Sequence, residues 1–259
     1  MKDIRRKLFS QNFLRNQELV DRLIDTSSIG KGDLVLEIGP GRGVITRSLL
    51  ARAGHVVAVE IDTQWYQRLH QEFTAQPKLT LYHDDILHHA LPRLPYKVFA
   101  NIPFAIEGKI VRYLLDADNP PQDTYVVVMS QLAHRLAAPE KNTLFAALHT
   151  PWFQFSVVHE FKPTDFTPVP QVSASLFRFT RLTSPLLNMK KRKAYQQFVQ
   201  RGFGNGQSVH SNLKRFYPEP VVDKVLQKFS IRKKSKPSQV SVRRWIVLFE
   251  TMHQAMNIY

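Results

Sequence analysis

Residues 34–43 read Leu34-Val35-Leu36-Glu37-Ile38-Gly39-Pro40-Gly41-Arg42-Gly43. A short apolar run of strand length passes straight into a turn with glycine at every second position. Val44 to Ala53 then have helical spacing, and His55-Val56-Val57-Ala58-Val59 is a second strand, so the segment is a βαβ unit. The alternation continues outward. Trp65 to Phe73 is predicted helical, Leu79 to Tyr82 and Tyr96 to Ala100 are strands, Gly108 to Leu115 is a helix, Tyr125 to Met129 a strand and Leu132 to Ala137 a helix. Repetition of this kind implies an α/β fold with a mainly parallel, doubly wound sheet that binds ligands at the carboxyl ends of its strands.

Further along, Trp152 to Phe161 and Ser173 to Phe179 read as a late pair of strands around the Pro-rich stretch Lys162 to Pro170. The texture changes after Ser184-Pro185. Helices are predicted over Lys190 to Gln200, Val221 to Phe229 and Ser241 to Met252, the last with Ser241 as its cap. The domain boundary is therefore placed near 183, giving an α/β domain over 1–183 and a small C-terminal helical domain over 184–259.

Composition narrows the function. The 259 residues include no cysteine, which excludes disulfides, thiolate nucleophiles, cysteine-ligated zinc and iron–sulfur clusters. No apolar run reaches the length of a membrane span, and the basic N-terminus lacks the apolar stretch of a signal peptide, so a soluble, cytoplasmic protein with no membrane partner is expected. The net charge is +15, and it is segregated. Residues 184–259 hold 15 Lys/Arg against 3 acidic residues, the leader 1–15 holds 5 against 1, and the stretch between them is close to neutral, with 16 against 17. Such basic ends favour a polyanion, and without a lipidation motif or a broad amphipathic basic helix, nucleic acid is the expected partner.

The strand ends carry the chemistry. The turn Gly39 to Gly43 lets a cofactor approach the backbone, yet Val44 stands where the dinucleotide fingerprint needs its third small residue, which argues against NAD. The second strand ends Val59-Glu60-Ile61-Asp62, and Glu60 lies 21 residues after Gly39, where an acidic side chain receives both ribose hydroxyls. The third ends Asp84-Asp85-Ile86, where a carboxylate could accept from an adenine amino group. The fourth ends Asn101-Ile102-Pro103-Phe104. An exocyclic adenine amine is a poor nucleophile because its lone pair is delocalised into the ring. The Asn101 side-chain oxygen and the Ile102 carbonyl can accept its two N–H bonds and favour a tetrahedral nitrogen, while Phe104 stacks on the base. Each piece alone has a plainer reading: a tight turn, a helix N-cap, a proline turn at a strand end. In register they converge on an adenosine-containing ligand and an adenine substrate.

Taken together, Ser10-Gln11-Asn12-Phe13-Leu14, Glu37 to Gly43, Val59 to Asp62, Asp84 to Leu87, Asn101 to Phe104 and Phe166-Thr167-Pro168-Val169-Pro170-Gln171-Val172 resemble the rRNA adenine N6-methyltransferases in order and spacing, over roughly residues 8 to 183. Within that superfamily N-I-P-F is similar to the Erm group, which modifies a large-subunit rRNA adenine and confers macrolide, lincosamide and streptogramin B resistance. The sister small-subunit dimethyladenosine transferases more often have Leu at the second position. The resemblance implies a Rossmann-like S-adenosylmethionine-dependent methyltransferase with S-adenosylhomocysteine as product and an unpaired 23S rRNA adenine as substrate. It implies cofactor contacts at Asn12, Leu14, Gly39, Glu60, Asp85 and Asn101, with Gly41, Ile61 and Ile86 in the same set and with Gln11 and Phe13 in a leader motif that closes over the cofactor. Asn101, Ile102 and Phe104 take the catalytic roles, Phe104 standing where the family often has Tyr. A monomer is the family expectation.

Other chemistries lack support. No histidine pair among His83, His88 and His89 has metal-site spacing, and Ser130, Ser208 and Ser211 sit in no G-x-S-x-G context. Gly202-Phe203-Gly204-Asn205-Gly206 reads as a turn, whereas Arg232-Lys233-Lys234-Ser235-Lys236 would suit rRNA phosphates. The rival readings are a small-subunit rRNA dimethylase, a non-catalytic nucleic-acid-binding factor with the same fold, and a DNA adenine methyltransferase.

Overall fold

The structure is a computed structural model, and it describes residues 12–138, 142–204 and 206–256. Its contacts divide the chain into two units, Met1–Ala137 with Ser156–Thr180 and Ala138–Phe155 with Arg181–Tyr259. The second unit thus begins its main stretch at Arg181, three residues before the start expected at 184. It also takes in residues 138–155, which the sequence reading had left in the first domain.

In chain order the elements are β1 (Phe13–Leu14), α1 (Gln17–Asp25), β2 (Leu34–Ile38), α2 (Val44–Arg52), β3 (His55–Glu60), α3 (Thr63–Glu72), β4 (Leu79–His83), β5 (Lys97–Asn101), α4 (Glu107–Asp116), β6 (Asp123–Met129) and α5 (Ser130–Leu136). There follow α6 (Leu144–His149), β7 (Phe153–Glu160), β8 (Phe166–Thr167), β9 (Ala174–Arg181), α7 (Arg192–Phe203), α8 (Val209–Leu213), α9 (Glu219–Lys228) and α10 (Val242–Met256). The predicted strands match to within two residues at most ends. α1, α6 and α8 had gone unassigned.

Seven strands form one sheet in the order β4-β3-β2-β5-β6-β9-β7. β2 pairs in parallel with both β3 and β5, and β5 in parallel with β6. Strands buried on both faces need apolar residues at every position. Val35, Leu36, Val56, Ala58, Val98, Phe99, Ala100, Val126, Val127 and Val128 are all fully buried. β9 runs antiparallel to β6, with Met129 opposite Ala174. From β2 the chain moves outward to β3 and β4, then crosses back to β5 on the other flank. The carboxyl ends of β2 and β5 therefore flank a topological switch point, where an open α/β sheet leaves a crevice.

α1 begins at Asn16, whose side chain accepts from the Leu19 N–H at 3.1 Å, and it buries Leu19, Val20 and Ile24. A two-residue ribbon lies apart from the main sheet: β1 pairs antiparallel with β8, Phe13 opposite Thr167 and Leu14 opposite Phe166. In the second unit aromatic rings make the core. Trp152 donates to the Leu187 carbonyl at 2.7 Å, Tyr195 to that of Ala147 at 3.0 Å, and Phe198 sets its ring against Trp245 and Phe249. α10 starts at Ser241, whose hydroxyl accepts from the Arg244 N–H at 3.4 Å.

Candidate active site

The crevice at the switch point holds a shallow cavity lined by Asn12, Phe13, Gly39, Asn101, Ile102, Pro103 and Phe104. A second is lined by Phe13, Leu14, Gly39, Pro40, Arg42, Val44, Ile45 and Asn101. Three residues are common to both, so Phe13, Gly39 and Asn101 form the partition. β2 delivers Gly39 and β5 delivers Asn101, while the ribbon of β1 with β8 brings Asn12 and Phe13 to the same place. The fixed φ of Pro103, −61°, turns the chain from β5 into a single 3₁₀ turn, Phe104–Ile106, that leads into α4. Phe104 packs against the core of the first unit and also lines the first cavity.

Asn101 is held in one orientation. Its Nδ2 donates to the Asn12 carbonyl at 2.6 Å. A peptide oxygen can only accept, so this bond settles which end of the amide is nitrogen. Oδ1, left without a donor among the described residues, is the end available to a ligand. No periodicity in the sequence announces this contact, because a two-residue ribbon places the Asn12 carbonyl.

Glu60 ends β3 in a different state from that expected. It is fully buried, its Oε2 accepting from the Gly41 N–H at 3.0 Å and its Oε1 from the Asp62 N–H at 2.9 Å. Burial raises its pKa, and these two N–H groups offset the rise only in part. Gly41 has φ +52°, and a Cβ built on it would stand 2.5 Å from the Phe13 ring. The glycine therefore allows both the turn and the close seat of that ring. Above Gly39, by contrast, the space is open to a distance of 4 Å.

Among the expected site residues the structure gathers Asn12, Phe13, Leu14, Gly39, Asn101, Ile102 and Phe104. Gly41, Glu60, Ile61, Asp85 and Ile86 are not among the residues that line either cavity. Gly41 and Glu60 lie under the Phe13 seat, Ile86 is buried, and Ile61 is 41% exposed. Asp85 uses Oδ1 to accept from the Leu87 N–H at 2.9 Å and sets Oδ2 3.2 Å from His88, in a local turn that leads into no helix, so its plainer reading as a helix N-cap does not hold either. Gln11 lies outside the described residues.

Two carboxyls were given no role of their own in the sequence. Glu37, on β2 just before the turn, is buried with neither oxygen hydrogen-bonded. Burial pushes it up to about 8, with the neighbouring Thr46 hydroxyl opposing only in part. Glu107, the first residue of α4, accepts from the Met129 N–H at 2.7 Å and ties the turn after Asn101 to the end of β6. Burial raises it to about 7. Single acidic letters beside a glycine turn or at a helix start do not announce burial. Among the described residues no group of His, Asp and Glu could hold a metal ion, and no helix is long and apolar enough to cross a membrane.

Comparison with known proteins adds to this geometry. The family described as ribosomal RNA adenine dimethylase matches residues 2–254. The chain is 30% identical over 253 residues to an rRNA adenine N-6-methyltransferase of Aeromicrobium erythreum, covering 97% of this chain and 74% of the relative. It is 31% identical over 270 residues to a ribosomal RNA small subunit methyltransferase A of Rippkaea orientalis, covering 95% and 98%. The crystal structure of the 23S rRNA methyltransferase ErmE superposes with a TM-score of 0.74 at 27% identity, covering 94% of this chain and 100% of that one.

Proposed function

The chain belongs to the ribosomal RNA adenine dimethylase family and is an rRNA adenine N6-methyltransferase, and from that premise we propose that its substrate is one unpaired adenine of 23S rRNA. N6 of that base receives one or two methyl groups from S-adenosylmethionine, S-adenosylhomocysteine is released, and the modified ribosome resists macrolides, lincosamides and streptogramin B. The observation that carries the reading is the oriented Asn101 amide, with a donor-free Oδ1 beside Ile102 and Phe104 in one cavity.

The residues present fit the donor. Open space over Gly39 at the switch point, a glycine at 41 and the carboxylate of Glu60 suit a nucleoside approaching the ends of β2 and β3. Glu60 would hold the ribose, Asp85 and the apolar Ile61 and Ile86 the adenine, and Asn12, Leu14 and Gly39 the remainder. When bound, adenosylmethionine supplies a methyl group on a sulfonium centre. Asn101 Oδ1 and the Ile102 carbonyl accept the two N6 hydrogens and hold the nitrogen lone pair out of the ring plane. Phe104 stacks on the base, which must leave its own stack to arrive there. No strong base is needed, since the nitrogen becomes acidic only as its new bond forms.

The α/β part, 1–183, would supply this pocket, and the basic part, 184–259, would hold the phosphate backbone. The similar identity to a small-subunit methyltransferase favours one rival, methylation of 16S rRNA. Methyl transfer from labelled adenosylmethionine to 23S and 16S rRNA, followed by primer extension, separates them. Label in 23S RNA and a stop beside one adenine are expected; label confined to 16S RNA would install the rival, and none in either would favour a non-catalytic factor.

A further inference from the structure

Phe13 is seated across the cleft by two side chains, Arg42 of the glycine turn and Trp65 of α3, to which the proposed chemistry gives no part. Its ring meets Trp65 edge to face, with centroids 5.2 Å apart and planes at 61°. The Arg42 guanidinium lies 4.9 Å from the Phe13 centroid and 5.9 Å from that of Trp65. Arg42 is exposed and has no carboxylate partner among the described residues, so the two rings are its local partners. Beneath the ring is Gly41, whose N–H is bonded to Glu60, and Glu60 has no exposed surface. The missing Cβ at Gly41 thus serves the ring in this conformation, on the surface a nucleoside would need.

We propose that Arg42 and Trp65 are positioning residues that latch Phe13 over Gly41 and Glu60, so that the cofactor enters only when this three-residue stack opens. The proposal rests on the reading of adenosylmethionine as donor. Edge-to-face rings and a cation over an aromatic face are each weak attractions, so the stack opens often. A ligand that binds only the open form has its apparent affinity reduced by the open fraction. Loosening the stack then raises the association rate and leaves dissociation untouched, because the bound state no longer contains the latch.

Surface plasmon resonance of S-adenosylhomocysteine on the immobilised full chain tests this. Trp65→Ala and Arg42→Ala are each expected to speed association about three- to tenfold with dissociation unchanged. Trp65→Phe, which keeps a ring edge against Phe13, is expected to stay close to the parent rate. Arg42, being exposed, provides a variant whose folding is not in question. Unchanged association in Arg42→Ala, with binding intact, would overturn the latch and leave the donor reading standing. Faster dissociation in Trp65→Ala would also overturn it, by making Trp65 a ligand contact. If the parent chain did not bind adenosylhomocysteine at all, the donor reading would fall and the latch with it.

Discussion

At the scale of the residue, Asn101 and Glu37 illustrate opposite uses of a polar group at a strand end. Asn101 has one end of its amide committed to the Asn12 carbonyl, which leaves the other end correctly presented without any cost of orientation at the moment of reaction. Removing a preorganised dipole of this kind costs roughly 10²–10³ in rate, so Asn101→Ala is expected to lower turnover by at least that factor. RNA affinity should stay near that of the parent, because the amide touches one base and no phosphate; a filter-binding assay beside a methyl-transfer assay checks both halves. Glu37 has only Thr46 to offset its burial, and that burial holds its acid at about 8 against 4.5 in an ordinary setting. Between those values the folded chain keeps a proton that the unfolded chain has lost, so this group lowers stability as pH rises from 4.5 to 8 and is without effect below 4.5. Glu37→Gln removes the titration. It should leave stability at pH 4.5 nearly unchanged and raise it by on the order of 3 kcal/mol at pH 8. Urea unfolding at the two pH values measures the difference, and equal gains at both would show that Glu37 is already charged in the folded state.

At the scale of the element, legibility followed burial. Of the parallel strands, β2, β3, β5 and β6 could be read because both faces are largely covered, and the turns at their ends because Gly39, Gly41, Glu60 and Asn101 fall on them in register. α1 was missed although Asn16 caps it, because the stretch between the basic leader, 1–15, and the first strand was given no assignment. The β1–β8 ribbon was missed because two residues carry no period. What holds the N-terminal end of β6 was also hidden, since it is assembled from four distant letters. Asp123 accepts from Arg178 Nε and Nη2 at 3.0 and 2.7 Å, from the Ser28 hydroxyl at 2.7 Å and from that of Thr180 at 2.8 Å. Burial alone would raise its pKa, but these donors outweigh it and keep the carboxyl below the usual range. A lowered folded pKa gives stability that is present above the unfolded value and is lost as pH falls through the folded one. Asp123→Ala leaves Arg178 beside the sheet without its anion and should cost about 3–5 kcal/mol. The same substitution should flatten the acid limb of a stability profile below pH 4. An unaltered acid limb would mean that other carboxyls carry it.

At the scale of the whole molecule, the excess charge and the cleft lie on different stretches of chain, and salt should act on them differently. In the first unit several cations are matched in ion pairs, Arg47 with Glu72, Arg52 with Asp21 and Asp25, Lys97 with Asp33 and Arg178 with Asp123. Residues 184–259 have 15 cations for 3 anions and cannot match them. Asp223 takes Lys233 at 2.6 Å, Glu219 takes Lys214 at 3.4 Å and Glu250 takes Lys191 at 3.6 Å, which engages all three anions of the stretch. Arg232, Lys234 and Lys236 remain exposed with no carboxylate partner among the described residues. Each cation that meets a phosphate of unpaired RNA releases about 0.7 of a counterion. With about six such contacts, affinity for rRNA falls roughly 300-fold between 50 and 200 mM salt, whereas affinity for adenosylhomocysteine, held by dipoles and apolar surface, should scarcely change. Replacing Arg232, Lys234 and Lys236 together by Gln should reduce the slope of log affinity against log salt by about 2. Lys233→Gln alone should reduce it by less than any one of the three, because its charge is already engaged by Asp223. Fluorescence anisotropy of a labelled rRNA fragment across a salt series gives these slopes, and a triple variant with the parent slope would remove the 232–236 segment from the RNA path.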